Sequence, residues 1–172
     1  MRFASFLLAI CSGAALTSAQ ATTEYVDDAA FQNAMLGTTN SFRAMHNASA
    51  LQWHPDLVNY AYQYSQRCNF AHSGAIYGEN LAAGYQSPTA AVNAWGAEQS
   101  SYDYNAGQFS AAAGHFTQLV WKSSTYVGCG RTYCNAGGAG GKGNAPGWYI
   151  VCEYYPPGNV QGQFKTNVYA TS

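Results

Sequence analysis

The amino-acid sequence predicts an α+β sandwich, with helices packed outside a short antiparallel sheet. Apolar residues recur at helical spacing between residues 29 and 121 of the 172-residue chain. Two later segments, Tyr126 to Tyr133 and Trp148 to Tyr155, are rich in Tyr, Val and Ile and are predicted to be strands. The length is that of one domain and no internal repeat is present, so helices followed by strands favour a single layered domain.

The chain begins with a segment typical of a secretory signal peptide. Met1 and Arg2 give a positive start, residues 3–16 are apolar and small, and Ala19-Gln20-Ala21 has the small residues of a cleavage site. We expect a signal peptide over residues 1–19, with cleavage as late as residue 21, and one secreted, extracellular domain over residues 22–172. The apolar start is too short to span a membrane, and no later segment has the length of a transmembrane helix.

Two helices are predicted in the first part of the domain. The first covers residues 29–46, and the second begins at Pro55, a residue that the first turn of a helix tolerates, and ends near Cys68. The expected buried side of the first helix consists of Phe31, Met35, Phe42 and Met45. The expected buried side of the second helix consists of Leu57, Tyr60, Ala61 and Tyr64.

The remaining elements follow from local signals. Residues 77–84 are predicted to form a short strand or turn, and Ser87 and Pro88 are suited to begin a third helix. Residues 102–114 form a loop of small residues and aromatics, which leads into a short helix over residues 115–121. The glycine-rich residues 137–143 are the expected flexible tip between the two strands, and the tail is expected to be loop-like.

Charge and cysteine content limit the classes of function. Only 9% of the residues are charged and the net charge is −1, which makes nucleic acid a poor partner. Cys11 lies in the expected signal peptide, so four of the five cysteines remain in the exported chain, and two disulfides are predicted. Asn47, in Asn47-Ala48-Ser49, is a candidate glycosylation site.

One segment identifies a family resemblance. The run Gly114-His115-Phe116-Thr117-Gln118-Leu119-Val120-Trp121 resembles the first signature of the CAP superfamily, which includes cysteine-rich secretory proteins, antigen-5 allergens and plant pathogenesis-related group one proteins. Four further segments match in order: Asn40 to His46 with Leu51-Gln52-Trp53, Gly78-Glu79-Asn80-Leu81, Trp95-Gly96-Ala97-Glu98, and Tyr149 to Val160. The resemblance implies a three-layer α-β-α sandwich with a central antiparallel sheet, in a monomeric protein. It also implies the disulfides Cys68–Cys134 and Cys129–Cys152.

Three positions depart from the family pattern. Thr39 stands where a His is common, and Glu153 replaces a neutral polar residue after Cys152, which adds a charge near the strand end. The loop over residues 105–113 lacks the cysteines of the plant proteins, and this absence is more similar to the fungal branch.

The resemblance places four residues in a polar cleft: His72, Glu79, Glu98 and His115. Two imidazoles with carboxylates behind them suit a divalent cation such as Zn²⁺ or Mg²⁺, bound weakly because two histidines are one ligand short of a usual zinc site. The alternative is a hydrogen-bonded network that anchors the helices to the sheet.

A loop with three aromatic residues is the second candidate site. Tyr102, Tyr104 and Phe109 resemble the caveolin-binding-like pattern of fungal CAP proteins that bind sterols. Flat rings on a loop suit a rigid apolar ligand, although the same rings would also pack the loop onto the core. In some relatives a further apolar groove, between the first and fourth helices, binds fatty acids.

We therefore expect a secreted protein that binds and sequesters or exports lipids, chiefly sterols, without catalysis. One alternative is a defence or interaction module, or the source of a C-terminal signalling peptide that begins near Pro156. Another is a metal-dependent hydrolase, but Ser73, which follows His72, lacks the surroundings of a catalytic nucleophile.

Overall fold

A four-stranded sheet with helices on both faces organises residues 22–134 and 143–171, the part of the chain that this computed structural model describes. The helices are α1 (Thr23–Val26), α2 (Asp28–Met45), α3 (Pro55–Ser65), α4 (Pro88–Ala97), α5 (Gly114–Leu119) and α6 (Phe164–Asn167). The strands are β1 (Gln52–Trp53), β2 (Gly78–Ala83), β3 (Tyr126–Cys134) and β4 (Gly147–Tyr155). Two 3-10 turns cover Glu98–Ser101 and Ala111–Ala113. The expected signal peptide and nearly all of the predicted tip at residues 137–143 lie outside the described residues.

The helices begin where the sequence carries capping residues. The side chain of Asp27 caps α2, and Ser87 caps α4 directly before Pro88. At α3, the ring of His54 accepts the backbone N–H of Asp56, and proline again occupies the first turn. These contacts satisfy N–H groups that have no partner inside the helix, which explains why the predicted starts are confirmed to within a residue.

The strand order is β1-β3-β4-β2. Strand β4 runs antiparallel to β3 on one side and to β2 on the other. The two-residue strand β1 runs parallel to β3, so the sheet is mixed at one edge. The α+β sandwich is confirmed; β1 escaped prediction because two residues before Pro55 are too few to show a strand pattern.

The helices form two layers around the sheet. Helix α3 packs on one face, and α2, α4 and α5 cover the other face around a larger apolar core. Helix α3 approaches β3 very closely, because a Cβ atom at Gly128 would overlap the backbone of Val58, and one at Gly130 would overlap the backbone of Tyr62. Both positions therefore require glycine.

Helix α2 buries a different stripe from the predicted one. Its buried residues are Phe31, Met35, Thr39 and Arg43, spaced four apart, whereas Phe42 is half-buried and Met45 is exposed. The prediction was wrong for Met45 because it followed apolar character alone. The stripe continues through Arg43, whose guanidinium donates to four backbone carbonyls.

Those four carbonyls belong to Ser49, Leu119, Trp121 and Ser124. Arg43 is fully buried, and burial lowers the pKa of its guanidinium to about 10. The side chain thus remains charged at neutral pH and ties α2 to the segment that follows α5.

Both implied disulfides are present. Cys68, which follows α3, pairs with Cys134 at the end of β3, with Cα atoms 5.5 Å apart. Cys129 pairs with Cys152 across β3 and β4, with Cα atoms 4.1 Å apart. One bridge joins α3 to the sheet and the other joins two neighbouring strands.

The two ends of the described chain are more ordered than predicted. Residues 23–26, before the first predicted helix, form α1 and bury Tyr25. The tail, expected to be loop-like, forms α6 and places Phe164 and Val168 in the core. Single buried aromatics in short polar segments gave no periodic signal.

Candidate functional site

His72 and Glu79 form the first half of the candidate cleft. The Nδ1 atom of His72 lies 2.6 Å from Oε1 of Glu79, the second residue of β2. The backbone N–H of Ser73 donates to both oxygens of the same carboxylate. The carboxylate is nearly buried, whereas the imidazole is 68% exposed, so Glu79 orients a ring that faces solvent.

Glu98 and His115 form the second half. The Nδ1 atom of His115 lies 2.7 Å from Oε1 of Glu98, and Oε2 of Glu98 accepts the backbone N–H groups of His115 and Phe116. Glu98 thus satisfies the first N–H groups of α5 while it orients the imidazole. The ring of His115 also stacks on Trp95, with ring centroids 5.9 Å apart.

The four residues lie in two pairs. On β2, Glu79 points to the α3 side of the sheet, and the next residue, Asn80, points to the opposite side and donates to the carbonyl of His115 at 3.0 Å. Within residues 22–134 and 143–171, no three His, Cys, Asp or Glu side chains are grouped so as to hold a metal ion. In this same part of the chain, Nε2 of His72 and Nε2 of His115 have no hydrogen-bond partner.

Glu153 is a site residue whose setting the sequence did not reveal. It was expected to add a charge near the strand end. Instead, it lies on β4 within the sheet, directly opposite Glu79, and its exposure is 0%. Neither carboxylate oxygen has a hydrogen-bond partner among the described residues. Burial, and secondly the neighbouring Glu79, raise the pKa of Glu153 to about 9, so this carboxyl is neutral at pH 7.

The aromatic loop divides into buried and exposed parts. Tyr102 belongs to the core, where its ring lies edge-on to Tyr104 at 4.8 Å and tilts against Phe116 at 6.1 Å. Phe109 is 48% exposed, although one side of its ring lies over Gly114 and Phe164. Of the three predicted lipid-binding rings, Phe109 is thus the one at the surface.

The tail holds the signature helix in place. Asn159 accepts a hydrogen bond from Thr117 at 2.6 Å and donates to the carbonyl of Gly114 at 2.9 Å. The backbone N–H of Gly158 donates to Gln118 at 2.9 Å. These contacts explain why Thr and Gln interrupt an otherwise apolar segment.

A profile of the cysteine-rich secretory protein family matches residues 36–154, which include β2, α4, α5, β3 and all of β4 except its last residue. The chain belongs to the CAP family. The match contains all four cleft residues and the aromatic loop between α4 and α5.

The similar CAP proteins include several from fungi. Protein PRY2 of Saccharomyces cerevisiae is 45% identical over 143 residues, which cover 80% of this chain and 41% of PRY2. Secreted protein RBT4 of Candida albicans is 41% identical over 145 residues, covering 80% of this chain and 38% of RBT4. Fruiting body protein SC7 of Schizophyllum commune is 42% identical over 137 residues, covering 73% of this chain and 64% of SC7. The chain therefore resembles fungal CAP proteins but spans less than two thirds of these relatives.

Solved structures share the fold at low sequence identity. Venom allergen-like protein 4 of Schistosoma mansoni superimposes with a TM-score of 0.63 at 21% identity, covering 81% of this chain and 94% of that one. NaASP2 with Zn²⁺ superimposes with a TM-score of 0.63 at 20% identity, covering 88% of this chain and 87% of that one. The CAP fold is thus shared with animal relatives.

Three other sequence-based expectations are placed by the structure. Asn47 is exposed in the turn after α2. The hydroxyl of Ser73 accepts the backbone N–H of Ala75 and makes no hydrogen bond with His72. None of the described helices has the length and apolar character needed to cross a bilayer.

Proposed function

We propose that this protein is a secreted CAP-domain protein that binds lipids, chiefly sterols, and sequesters or exports them without a chemical step. The observation that carries this proposal is the half-exposed ring of Phe109 on a loop held by buried aromatics. The expected signal peptide and the name of the relative RBT4, a secreted protein, support an extracellular location. Fatty acids are the second class of ligand that we expect.

The loop is suited to present an apolar surface without unfolding. Tyr102 fixes its start in the core, and Gly114 and Phe164 support the underside of the Phe109 ring. The ring is therefore held in place before a ligand arrives, which lowers the entropic cost of binding. A flat sterol would cover the remaining exposed face of the ring.

The test measures binding of a fluorescent cholesterol analogue to the secreted protein and to Phe109→Ala. Burying the exposed half of a phenyl ring contributes about 1 kcal/mol, so we expect binding to weaken by about fivefold or more. Phe70→Ala is the matched control, because Phe70 is a 45% exposed phenylalanine that packs against Tyr149. Equal binding by Phe109→Ala would refute the loop assignment, and absence of sterol binding by the unmodified protein would refute the function.

We propose, second, a weak divalent-cation site at the exposed faces of His72 and His115. A carboxylate on Nδ1 of each ring leaves Nε2 as the available ligand atom, which is the arrangement seen behind metal-bound histidines. Zn²⁺ accompanies NaASP2, which shares the fold. When bound, the ion would supply a positive charge to the cleft.

Zinc titration followed through the histidine ring signals in NMR tests this site. We expect His72 and His115 to shift together and to saturate at one ion, and His115→Ala to remove the response of His72. His54 is the internal control, because its ring caps α3. Independent titration of the two rings, or no shift in either, would contradict a shared site.

The alternatives receive less support. The tail after Pro156 is tied to α5 and buries Phe164, so its release as a signalling peptide would remove part of the core. A hydrolase would need a nucleophile beside His72, and the Ser73 hydroxyl is engaged by Ala75. Mass spectrometry of secreted protein and peptide or ester hydrolysis with Zn²⁺ or Mg²⁺ test these two alternatives.

A further inference from the structure

Strand β3 has one edge that the described chain leaves largely open. Strand β1 pairs with β3 at Tyr126 and Val127, and the chain then turns away at Pro55 into α3. Strand β3 continues to Cys134, and no described strand pairs with this edge beyond Val127. Open edges offer unpaired N–H and C=O groups to another extended chain.

The disulfide reveals which backbone groups face that edge. The Cα atoms of Cys129 and Cys152 are 4.1 Å apart, the short spacing of a non-hydrogen-bonded pair, so the N–H and C=O of Cys129 point away from β4. Two residues earlier, the carbonyl of Val127 has this orientation and accepts the N–H of His54 at 2.9 Å. Two residues after Cys129, the N–H and C=O of Arg131 also point away from β4.

These backbone groups have no hydrogen-bond partner within residues 22–134 and 143–171. Neither Cys129 nor Arg131 forms a backbone hydrogen bond on this side with any residue that the structure describes. Cys129 is only 2% exposed, so its N–H and C=O lie at the bottom of a recess. Buried backbone groups are almost always paired with protein, water or ligand, and these groups have no such partner among the described residues.

The recess is a groove of about 810 Å³ between α1–α2 and α3. Its apolar walls include Tyr25, Phe31, Trp53, Val58, Tyr62 and Trp148. The charges at its end cancel, because Arg131 donates to Asp28 at 2.8 Å. The groove thus combines a hydrogen-bonding floor with neutral, largely apolar walls.

We propose that an extended, uncharged peptide segment of a partner protein binds in this groove and adds a strand to the open edge of β3. The groups of Cys129 and Arg131 repeat every second residue, about 7 Å apart, which is the repeat of an extended peptide backbone. A sterol or fatty acid has one polar end, so it could satisfy the backbone groups of Cys129 or those of Arg131 but not both. Because the edge is recessed between helices, the flat edge of a second folded sheet does not reach it.

The first test selects binders from a displayed library of short random peptides, using the complete secreted protein. We expect the selected peptides to have apolar residues at alternate positions. N-methylation of their amides then identifies whether they pair with β3 in an antiparallel or a parallel register. Methylating the amides on alternate residues facing β3 should abolish binding, whereas methylating the intervening amides should not. A selection without enriched peptides, or binding that is insensitive to both sets of methyl groups, overturns the proposal.

Amide hydrogen exchange provides the decisive readout. In the free protein, Cys129 and Arg131 should exchange faster than Gly128 and Gly130, whose amides face β4. The selected peptide should slow the first pair by about tenfold or more and leave the second pair unchanged. Unchanged exchange at Cys129 and Arg131 in the complex would show that the peptide binds elsewhere.

A substitution in the wall of the groove tests whether the peptide binds there or at another surface. Asn59 is an exposed residue of α3 that lines the groove, so Asn59→Trp should fill it and weaken peptide binding by about tenfold or more. Gln63→Trp places the same side chain one turn later on α3, outside the lining residues, and should bind normally. A fluorescent fatty acid provides the alternative outcome. If it binds the unmodified protein but not Asn59→Trp, and leaves the exchange of the Cys129 amide unchanged, the groove is a lipid site and the peptide proposal fails.

Discussion

Replacing Glu153 by glutamine should stabilise the folded protein at neutral pH and reduce the dependence of its stability on pH. Glu153 is fully buried on β4 opposite Glu79, and burial is the main reason that its pKa rises from an ordinary 4.5 to about 9. Glutamine has nearly the same volume and is neutral at every pH. Its amide also offers N–H donors on the side where Glu79 lies opposite on β2.

The magnitude follows from proton linkage. Between pH 4.5 and about 9, the folded protein holds a proton on Glu153 that the unfolded chain has released. The stabilisation from this proton is complete below the pKa that Glu153 has in the unfolded chain. It is lost as the pH rises towards the pKa that Glu153 has in the folded protein. Each pH unit in this window costs about 1.4 kcal/mol, so the acid costs about 3 kcal/mol at pH 7 relative to a neutral side chain.

Urea denaturation at several pH values between about 5 and 8 tests this reasoning. The free energy of unfolding of the unmodified protein should fall relative to Glu153→Gln by about 1.4 kcal/mol per pH unit. Contributions from groups that are the same in both proteins cancel in the difference. Asp56→Asn, at an exposed position of α3, should keep the unmodified pH dependence. Parallel curves for Glu153→Gln and the unmodified protein would show that Glu153 is ionised in the fold.

Three further predictions concern stability, each measured by urea denaturation at one pH. Arg43→Met should lower the free energy of unfolding by about 3 kcal/mol or more, because four carbonyls lose their hydrogen-bond donor. A smaller loss would mean that water replaces the guanidinium as donor. Removing the Cys68–Cys134 bridge, which closes a separation of 66 residues, should cost about 4 kcal/mol, and an unchanged midpoint would contradict the chain-entropy account. Gly130→Ala should cost about 3 kcal/mol through overlap with α3, whereas Gly37→Ala, with open space around it, should stabilise the protein by about 0.5–1 kcal/mol.

The elements that the sequence predicted well are those in which local chemistry and packing agree. Pro55 and Ser87 begin helices because their local effects need no tertiary partner. Met45 was misplaced because polar Thr39 and Arg43 occupy the buried stripe. Three of the four carbonyls that surround Arg43 belong to residues 119–124, which are too distant in the sequence for any local pattern to reveal the contact.

The arrangement of the candidate site residues could not be predicted from the sequence. The family resemblance supplied His72, Glu79, Glu98 and His115, and their Glu–His partnerships are present as hydrogen bonds. Their division into two pairs depends on the sheet, because Glu79 and its neighbour on β2 face opposite sides. The neutral state of Glu153 likewise depends on its register with Glu79, which follows from strand pairing alone.

Glu98 physically connects the two proposed ligand sites. One of its oxygens orients the ring of His115, and the other accepts the first N–H groups of α5, directly after Gly114, on which the Phe109 ring rests. The 3-10 turn that begins with Glu98 also leads straight into Tyr102, the buried start of the aromatic loop. A cation bound at the proposed site on His115 would therefore act, through one carboxylate, on both ends of the loop that carries Phe109. Sterol and cation binding are then expected to influence each other without any change in the sheet, because the connection runs through this short turn and helix.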